Sequence, residues 1–79
     1  MFTDRPDVPK WKQLADLIRE RIEAGEYQPR HAIPSEHALV SETGLARSTV
    51  RKAIAALKDD HWVYSVHGLG VFVTPPESR

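Results

Sequence analysis

Four cations stand close together on one short stretch of this chain, and no acid stands among them. They are Arg47, Arg51, Lys52 and Lys58, within residues 43–58, TGLARSTVRKAIAALK. The whole chain has 11 Lys and Arg against 11 Asp and Glu, so the remainder is net acidic. A planar guanidinium can bind the O6 and N7 atoms of guanine, or a phosphate, through two hydrogen bonds. This segregation of basic charge predicts an element that lies against a polyanion, most simply DNA.

The apolar residues of the same stretch recur at helical spacing. The stripe consists of Val50, Ala53, Ile54 and Leu57, and it predicts a helix over residues 47–59. The opposite face carries Ser48, Arg51, Lys52 and Ala55, with Arg47 beside them in the first turn. One side of this helix is therefore suited to a core and the other to a nucleic acid.

A longer apolar stripe precedes the basic stretch and predicts a first helix over residues 9–24. Its members recur at spacings of three and four: Trp11, Leu14, Ala15, Ile18 and Ile22. Pro9 suits a first helical turn, and Gly25 suits a helix end. The connector that follows contains two prolines, and we expect its Tyr27 and Ile33 to reach the core.

A short helix is predicted between these two, over residues 36–42. Ser35 can cap its N-terminus, and Glu36 places a carboxylate in the first turn, where the helix dipole favours negative charge. Three of its residues are expected to face the core: Ala38, Leu39 and Val40. Gly44 can then adopt a positive φ and turn the chain sharply. The order helix, glycine turn, basic helix is typical of a helix-turn-helix.

The C-terminal part changes to strand-like residues. Residues 62–66 (WVYSV) and 71–74 (VFVT) predict two strands, joined by a turn at residues 67–70 (HGLG). Because an isolated hairpin is marginally stable in water, we expect it to pack on the helices through Trp62 or Tyr64 and Phe72.

The predicted fold class is mainly α with a small antiparallel β-hairpin, a winged helix-turn-helix. We assign this domain to residues 9–74, with a flexible N-terminal arm at residues 1–8 and a tail or linker at residues 75–79.

Composition argues against several other classes of protein. There is no cysteine, and the four histidines are scattered without metal-ligand spacing, so neither a metal site nor a cofactor is expected. No catalytic grouping of nucleophile, base or paired carboxylates is present, so we do not expect an enzyme. The sequence has no run of about 18 apolar residues and no secretory signal, which predicts a cytoplasmic protein with no membrane partner.

Four pieces of the chain, in this order, resemble the DNA-binding domain of the GntR family of bacterial transcription regulators. They are residues 22–26 (IEAGE), 33–36 (IPSE), 43–53 (TGLARSTVRKA) and 68–73 (GLGVFV). The resemblance covers about residues 9–74. It implies a sequence-specific regulator, most often a repressor, that binds double-stranded DNA at a palindromic operator as a homodimer.

The resemblance also implies which residues meet DNA. The family places an Arg-Ser/Thr-Thr-x-Arg run at the start of the recognition helix, matched here by Arg47, Ser48, Thr49 and Arg51. In the family, the wing tip reaches the minor groove. The residue after the Pro-Ser-Glu sequence also contacts DNA; it is commonly Arg in the family and is His37 in this chain. The predicted DNA-contacting residues are Ser35, His37, Arg47, Ser48, Thr49, Arg51, Lys52, His67 and Gly68.

The chain departs from the family pattern at four positions. Arg30 and His61 replace glycines, which costs about 1 kcal/mol each if those sites need a positive φ. Ala46 replaces a capping Ser or Thr, and Leu69 replaces a frequent wing cation. We therefore expect the wing to contribute less to DNA affinity than the recognition helix.

Two further points bear on function. A winged helix can also serve as a protein–protein interaction module, and this alternative predicts exposed apolar anchors on the outer face of the third helix. Regulators of the GntR type usually carry a C-terminal effector-binding domain. The chain ends at Arg79 without one, which fits either an excised domain or a minimal regulator.

Overall fold

The computed structural model describes residues 5–79, in which three helices precede a β-hairpin. The helices are α1 (Lys10–Glu23), α2 (Glu36–Thr43) and α3 (Arg47–Asp59). The antiparallel strands are β1 (Val63–Val66) and β2 (Gly70–Val73), and a 3₁₀ turn, Pro76–Ser78, follows. This order confirms the winged helix-turn-helix. None of the helices formed by residues 5–79 is long and apolar enough to cross a membrane.

The core lies between α1 and α3, whose apolar stripes face each other. The predicted inward residues of both helices are buried except Trp11, which is half-buried against the core. Leu14, Ile18, Val50 and Leu57 are the largest fully buried side chains of this pair. Ile33 from the connector is 5% exposed, as expected. Burial of this apolar surface is the main stabilising contribution, and it fixes the orientation of α3.

Helix α2 differs from the prediction in one inward residue. Leu39 is buried at 1% exposure and Val40 is half-buried against the core, but Ala38 is exposed. An eight-residue helix presents only a narrow face to the core, and Leu39 occupies most of it. Ala38 instead contributes its backbone N–H, which donates to the Ser35 hydroxyl at 3.1 Å.

Helices α1 and α3 end in the same hydrogen-bonded motif, although only one of them ends on glycine. After α3, the His61 N–H donates to the Lys58 carbonyl at 3.0 Å and the Trp62 N–H donates to the Leu57 carbonyl at 2.9 Å. The corresponding bonds after α1 are 3.1 and 2.9 Å long. This motif needs a left-handed residue, which is Gly25 (φ 84°) in α1 and His61 (φ 62°) in α3. The expected backbone strain at His61 is thus present.

The hairpin meets the core through valines. Of the predicted aromatic contacts, the one expected from Trp62 or Tyr64 is made by Trp62, and the one expected from Phe72 was wrong. Val63 and Val73 pair across the strands and are 3% and 0% exposed. Trp62 does pack against the core. Tyr64 and Phe72 lie on the other face of the hairpin, where their rings stack at 6.0 Å. The two aromatic rings therefore cover each other rather than the helices.

The connector between α1 and α2 pairs with β2 through an isolated antiparallel bridge, Ala32 to Phe72, that the sequence did not predict. The Arg30 N–H donates to the Val73 carbonyl at 2.8 Å, and the Val73 N–H donates to the His31 carbonyl at 2.9 Å. The Ile33 N–H donates to the Val71 carbonyl at 2.9 Å. Arg30 has φ 66°, so the second expected strained site is also present. These bonds join the wing to the chain that enters α2.

Both ends of the described chain make defined contacts. Gln13, 4% exposed, receives a hydrogen bond from the Arg5 N–H and donates to the Arg5 and Val8 carbonyls, at 2.7–2.8 Å. These bonds tie residues 5–8 to α1. The remaining predicted arm residues, 1–4, lie outside the described residues. At the other end, the Arg79 guanidinium lies 4.5 Å from the centre of the Trp62 ring.

Candidate nucleic-acid interface

The turn between α2 and α3 is held by its own side chains and fixes where α3 begins. Gly44 has φ 73°, and the Thr43 hydroxyl donates to the Leu39 carbonyl at 2.7 Å while accepting from the Leu45 N–H at 3.2 Å. Leu45 is 8% exposed and fills the space beneath the turn. A glycine at this position permits the left-handed conformation at low cost. The turn therefore holds the N-terminus of α3 beside α2.

The outer face of α3 presents the predicted run of polar residues to solvent. Arg47, Ser48 and Arg51 are exposed, and Thr49 is half-buried. Arg47 and Arg51 are four residues apart and therefore lie on the same helix face. Ala46, at the N-cap, makes no side-chain hydrogen bond to the first turn. No large apolar side chain is exposed on this face, so the anchors that a protein-docking surface would need are missing from it.

Glu36 lies between the two arginines and contacts both. The Arg51 Nε donates to one carboxylate oxygen at 2.8 Å, and the Arg47 Nε lies 3.5 Å from the other. The Glu36 side chain is 29% exposed, whereas the arginine side chains are 59% and 66% exposed. Sequence reasoning placed Glu36 in the first turn of α2 and missed this contact, because nothing in linear spacing reveals an ion pair between two helices.

Two other predicted residues lie at the start of α2, next to Glu36. The Ser35 hydroxyl caps the helix by accepting the Ala38 N–H. His37 is exposed in the first turn. The N-terminus of α2 and the N-terminal half of α3 thus form one continuous polar surface, held together by the Glu36 ion pairs.

Lys52 lies towards α1 rather than among the arginines. Its ammonium is 5.2 Å from the centre of the Trp11 ring, within the range of a cation–π contact. The neighbouring positions Arg51 and Lys52 therefore have different surroundings, one on the polar surface and the other against an aromatic ring of α1.

The remaining predicted residues occupy the wing tip. His67 and Gly68 are exposed in the turn between the strands, and Leu69 beside them is 72% exposed. The tip therefore offers one imidazole and backbone groups, but no permanent cation, as its sequence predicts.

A cleft of about 260 Å³ lies between α3, the connector and β2. Its apolar lining includes Ile33, Ile54 and Val71, while Arg51 and Lys58 contribute positive charge. Lys58 thus borders the space between α3 and the wing.

A second ion pair lies away from this surface and joins the helices. The Arg21 guanidinium bonds to the Glu42 carboxylate and donates to the Tyr27 hydroxyl at 2.6 Å. This partner lowers the pKa of Glu42 below its ordinary value, and partial burial opposes the change. The pair fixes the C-terminal end of α2 against α1.

A helix-turn-helix with a basic recognition helix and a hairpin wing defines a DNA-binding domain of a transcription regulator, a class of protein without enzymatic activity. Residues 10–73 match the family described as bacterial regulatory proteins, gntR family. The chain belongs to this family.

Individual relatives agree with this assignment. The mannosyl-D-glycerate transport/metabolism system repressor of Escherichia coli (strain K12) is 43% identical over 65 residues, which are 82% of this chain and 27% of that protein. The arabinose metabolism transcriptional repressor of Geobacillus stearothermophilus is 36% identical over 72 residues, which are 91% of this chain and 20% of that protein. The chain thus spans a fifth to about a quarter of the length of these two relatives.

A solved structure shows the same fold on DNA. The AraR DNA-binding domain, crystallised in complex with operator ORR3, is 35% identical and has a TM-score of 0.83, covering 94% of this chain and 89% of that chain. It therefore shares both the fold and the sequence pattern of the present domain.

Proposed function

We propose that this chain is the operator-binding part of a transcriptional repressor, with α3 in the major groove and the wing at the minor groove. The observation that carries the proposal is the polar surface where Arg47 and Arg51 project beside the N-terminus of α2. Both relatives quoted above are named repressors. Binding to a bacterial chromosome also implies that the protein acts in the cytoplasm.

Within this proposal, different predicted residues contact different parts of the DNA. Arg47 and Arg51 read guanine edges, since each can offer two parallel donors. The smaller groups at the helix starts, Ser35, His37, Ser48 and Thr49, contact phosphates or base edges at close range. Lys52 adds phosphate attraction only. His67 and Gly68 lie along the minor groove, which carries less sequence information.

The proposal is tested by selecting binding sites from a pool of random duplexes with the purified 79-residue chain. We expect enrichment of one short sequence with guanines in the major groove, and affinity that falls steeply with salt. If about 3–5 phosphates are neutralised per protomer, log K falls with log salt at a slope of about −3 to −4.5. Equal affinity for the selected duplex and for a shuffled duplex would refute sequence-specific binding.

We further propose that two copies occupy a palindromic operator. The support is the family assignment, together with the rule that a two-fold symmetric protein pair requires two symmetric half-sites. The 79-residue chain is expected to be monomeric when free and to pair on DNA. Sedimentation of chain and duplex mixtures measures this directly, and one protomer per complete selected site would contradict it.

A further inference from the structure

We infer that Glu36 is a specificity-determining residue, which orients Arg51 towards a base and weakens the attraction of this surface for phosphates in general. The inference rests on the proposed DNA-binding function. Because each carboxylate oxygen of Glu36 contacts one of the two arginines, Glu36 acts through these arginines.

The geometry of the Arg51 contact leaves its base-reading edge open. Glu36 accepts from the Nε edge of the guanidinium at 2.8 Å. An end-on approach to guanine O6 and N7 uses the two terminal nitrogens instead. Within the described part of the chain, Arg51 makes its side-chain hydrogen bond through Nε, and neither terminal nitrogen makes one. Glu36 can therefore keep its bond while Arg51 binds a base.

Glu36 is also better fixed than the arginine it holds. Its side chain is 29% exposed, against 66% for that of Arg51, and it stands in the first turn of a helix whose N-terminus is capped by Ser35. A long, exposed arginine has many rotamers, and most of them can reach some phosphate oxygen. Holding one edge of the guanidinium removes many of those orientations before DNA arrives, which favours the base contact over phosphate contacts.

The negative charge of Glu36 also favours base contacts over phosphate contacts. One carboxylate contacts two guanidinium groups, so the cluster carries a single net positive charge rather than two. Phosphates within a Debye length, about 8–10 Å, are attracted less strongly as a result. Random DNA loses this attraction, whereas a cognate site recovers affinity through the oriented base contact. Reduced binding to wrong partners is a general route to specificity.

Two substitutions separate the effect of the charge of Glu36 from the effect of its side-chain length. Glu36→Gln removes the charge, and Glu36→Asp keeps it but shortens the side chain by one methylene. Glu42→Gln is the matched control, because Glu42 is on the same helix but pairs with Arg21, away from this surface. Binding is measured for the selected duplex and a shuffled duplex at several salt concentrations.

We expect Glu36→Gln to raise affinity for shuffled DNA about twofold to fivefold and to steepen its salt dependence. Its ratio of selected to shuffled affinity should fall at least about fivefold, the low end of one arginine–base contact. Glu36→Asp should lower the ratio of selected to shuffled affinity by a similar factor. Its affinity for shuffled DNA should stay near that of the unsubstituted chain. Glu42→Gln should leave the ratio unchanged.

An unchanged ratio in Glu36→Gln would overturn the inference and reduce Glu36 to a partner of the α2 dipole. An equal loss in Glu42→Gln would overturn it too, since the effect would then come from a general disturbance of α2. If the unsubstituted chain itself showed no preference, both the proposed function and this inference would fail. If the unsubstituted chain prefers the selected duplex and all three variants keep the same preference, the inference is refuted while the proposed function stands.

Discussion

Arg51 and Lys52 are adjacent cations on α3, yet replacing each by alanine is expected to have different consequences. Arg51 projects from the polar surface beside Glu36, whereas the Lys52 ammonium lies 5.2 Å from the Trp11 ring. Alanine is a strong helix former, so neither change should disturb α3 itself. Each variant loses one positive charge, so a difference between the two variants comes from the surroundings of that charge.

The expected magnitudes follow from those surroundings. A bidentate arginine–guanine contact contributes about 1–3 kcal/mol of discrimination, so Arg51→Ala should lower the preference for the selected duplex by about 5-fold to 150-fold. The loss also leaves Glu36 without its closer partner, which adds repulsion towards DNA. Lys52→Ala should change the preference less than about twofold. It should instead lower the free energy of unfolding by about 0.5–1 kcal/mol, the usual contribution of an exposed cation–π contact.

Fluorescence anisotropy with selected and shuffled duplexes measures the first effect, and urea unfolding measures the second. Equal loss of preference in both variants would show that discrimination comes from overall charge rather than from Arg51. A larger loss of preference in Lys52→Ala would place the DNA-reading face on the α1 side of α3 and refute the assignment.

Three further predictions concern other parts of the molecule. His61→Gly should raise the free energy of unfolding by up to about 1 kcal/mol in urea unfolding, while Gly25→Ala in the matching motif should lower it, because only the first change relieves a positive φ. Glu42→Gln should destabilise by less than about 1 kcal/mol at pH 7, since its ion pair is partly exposed. Because the folded pKa of Glu42 is lowered, that difference exists above about pH 4.5 and disappears as pH falls below it, which unfolding at several pH values will show. Leu69→Arg should tighten binding to selected and shuffled duplexes alike when measured by anisotropy, because a cation at the exposed wing tip attracts any phosphate; an unchanged affinity would leave the wing without a role in binding.

The helical part of the fold was predictable because α1 and α3 carry apolar stripes and α2 is bounded by Ser35 and Gly44. The stripes of α1 and α3 have one apolar face each, so burial followed directly from spacing. Gly25 and Gly44 marked helix ends in the sequence, and the positive φ at His61 could be inferred from a glycine missing from the family pattern.

The wing was predicted as an element but not in its orientation. Both faces of its short strands are apolar, with Val63 and Val73 on one and Tyr64 and Phe72 on the other, so alternation alone cannot choose the buried face. Two facing valines fit against the helices, and the larger rings cover each other on the outside. The bridge between the connector and β2 was missed for a related reason: residues 30–33 pair through backbone groups, which leave no side-chain pattern.

For the candidate site, the sequence identified the cations but not their partners. Arg47 and Arg51 follow from the basic face and the family resemblance, yet their shared contact with Glu36 joins residues 11 and 15 positions apart in the chain. Similarly, nothing in the sequence distinguished the surroundings of Arg51 from those of Lys52. Contacts of this kind depend on the crossing of two helices, which only the folded structure fixes.

The central claim is that the N-terminal half of α3 lies in the major groove and the wing at the minor groove. Methylation of the selected duplex by dimethyl sulfate tests both parts at once, because the reagent attacks guanine N7 in the major groove and adenine N3 in the minor groove. We expect protection of guanines within each half-site and of adenines flanking it, with at least one guanine exposed again in Arg51→Ala. Protection of adenine N3 alone, with every guanine N7 still reactive, would contradict the account.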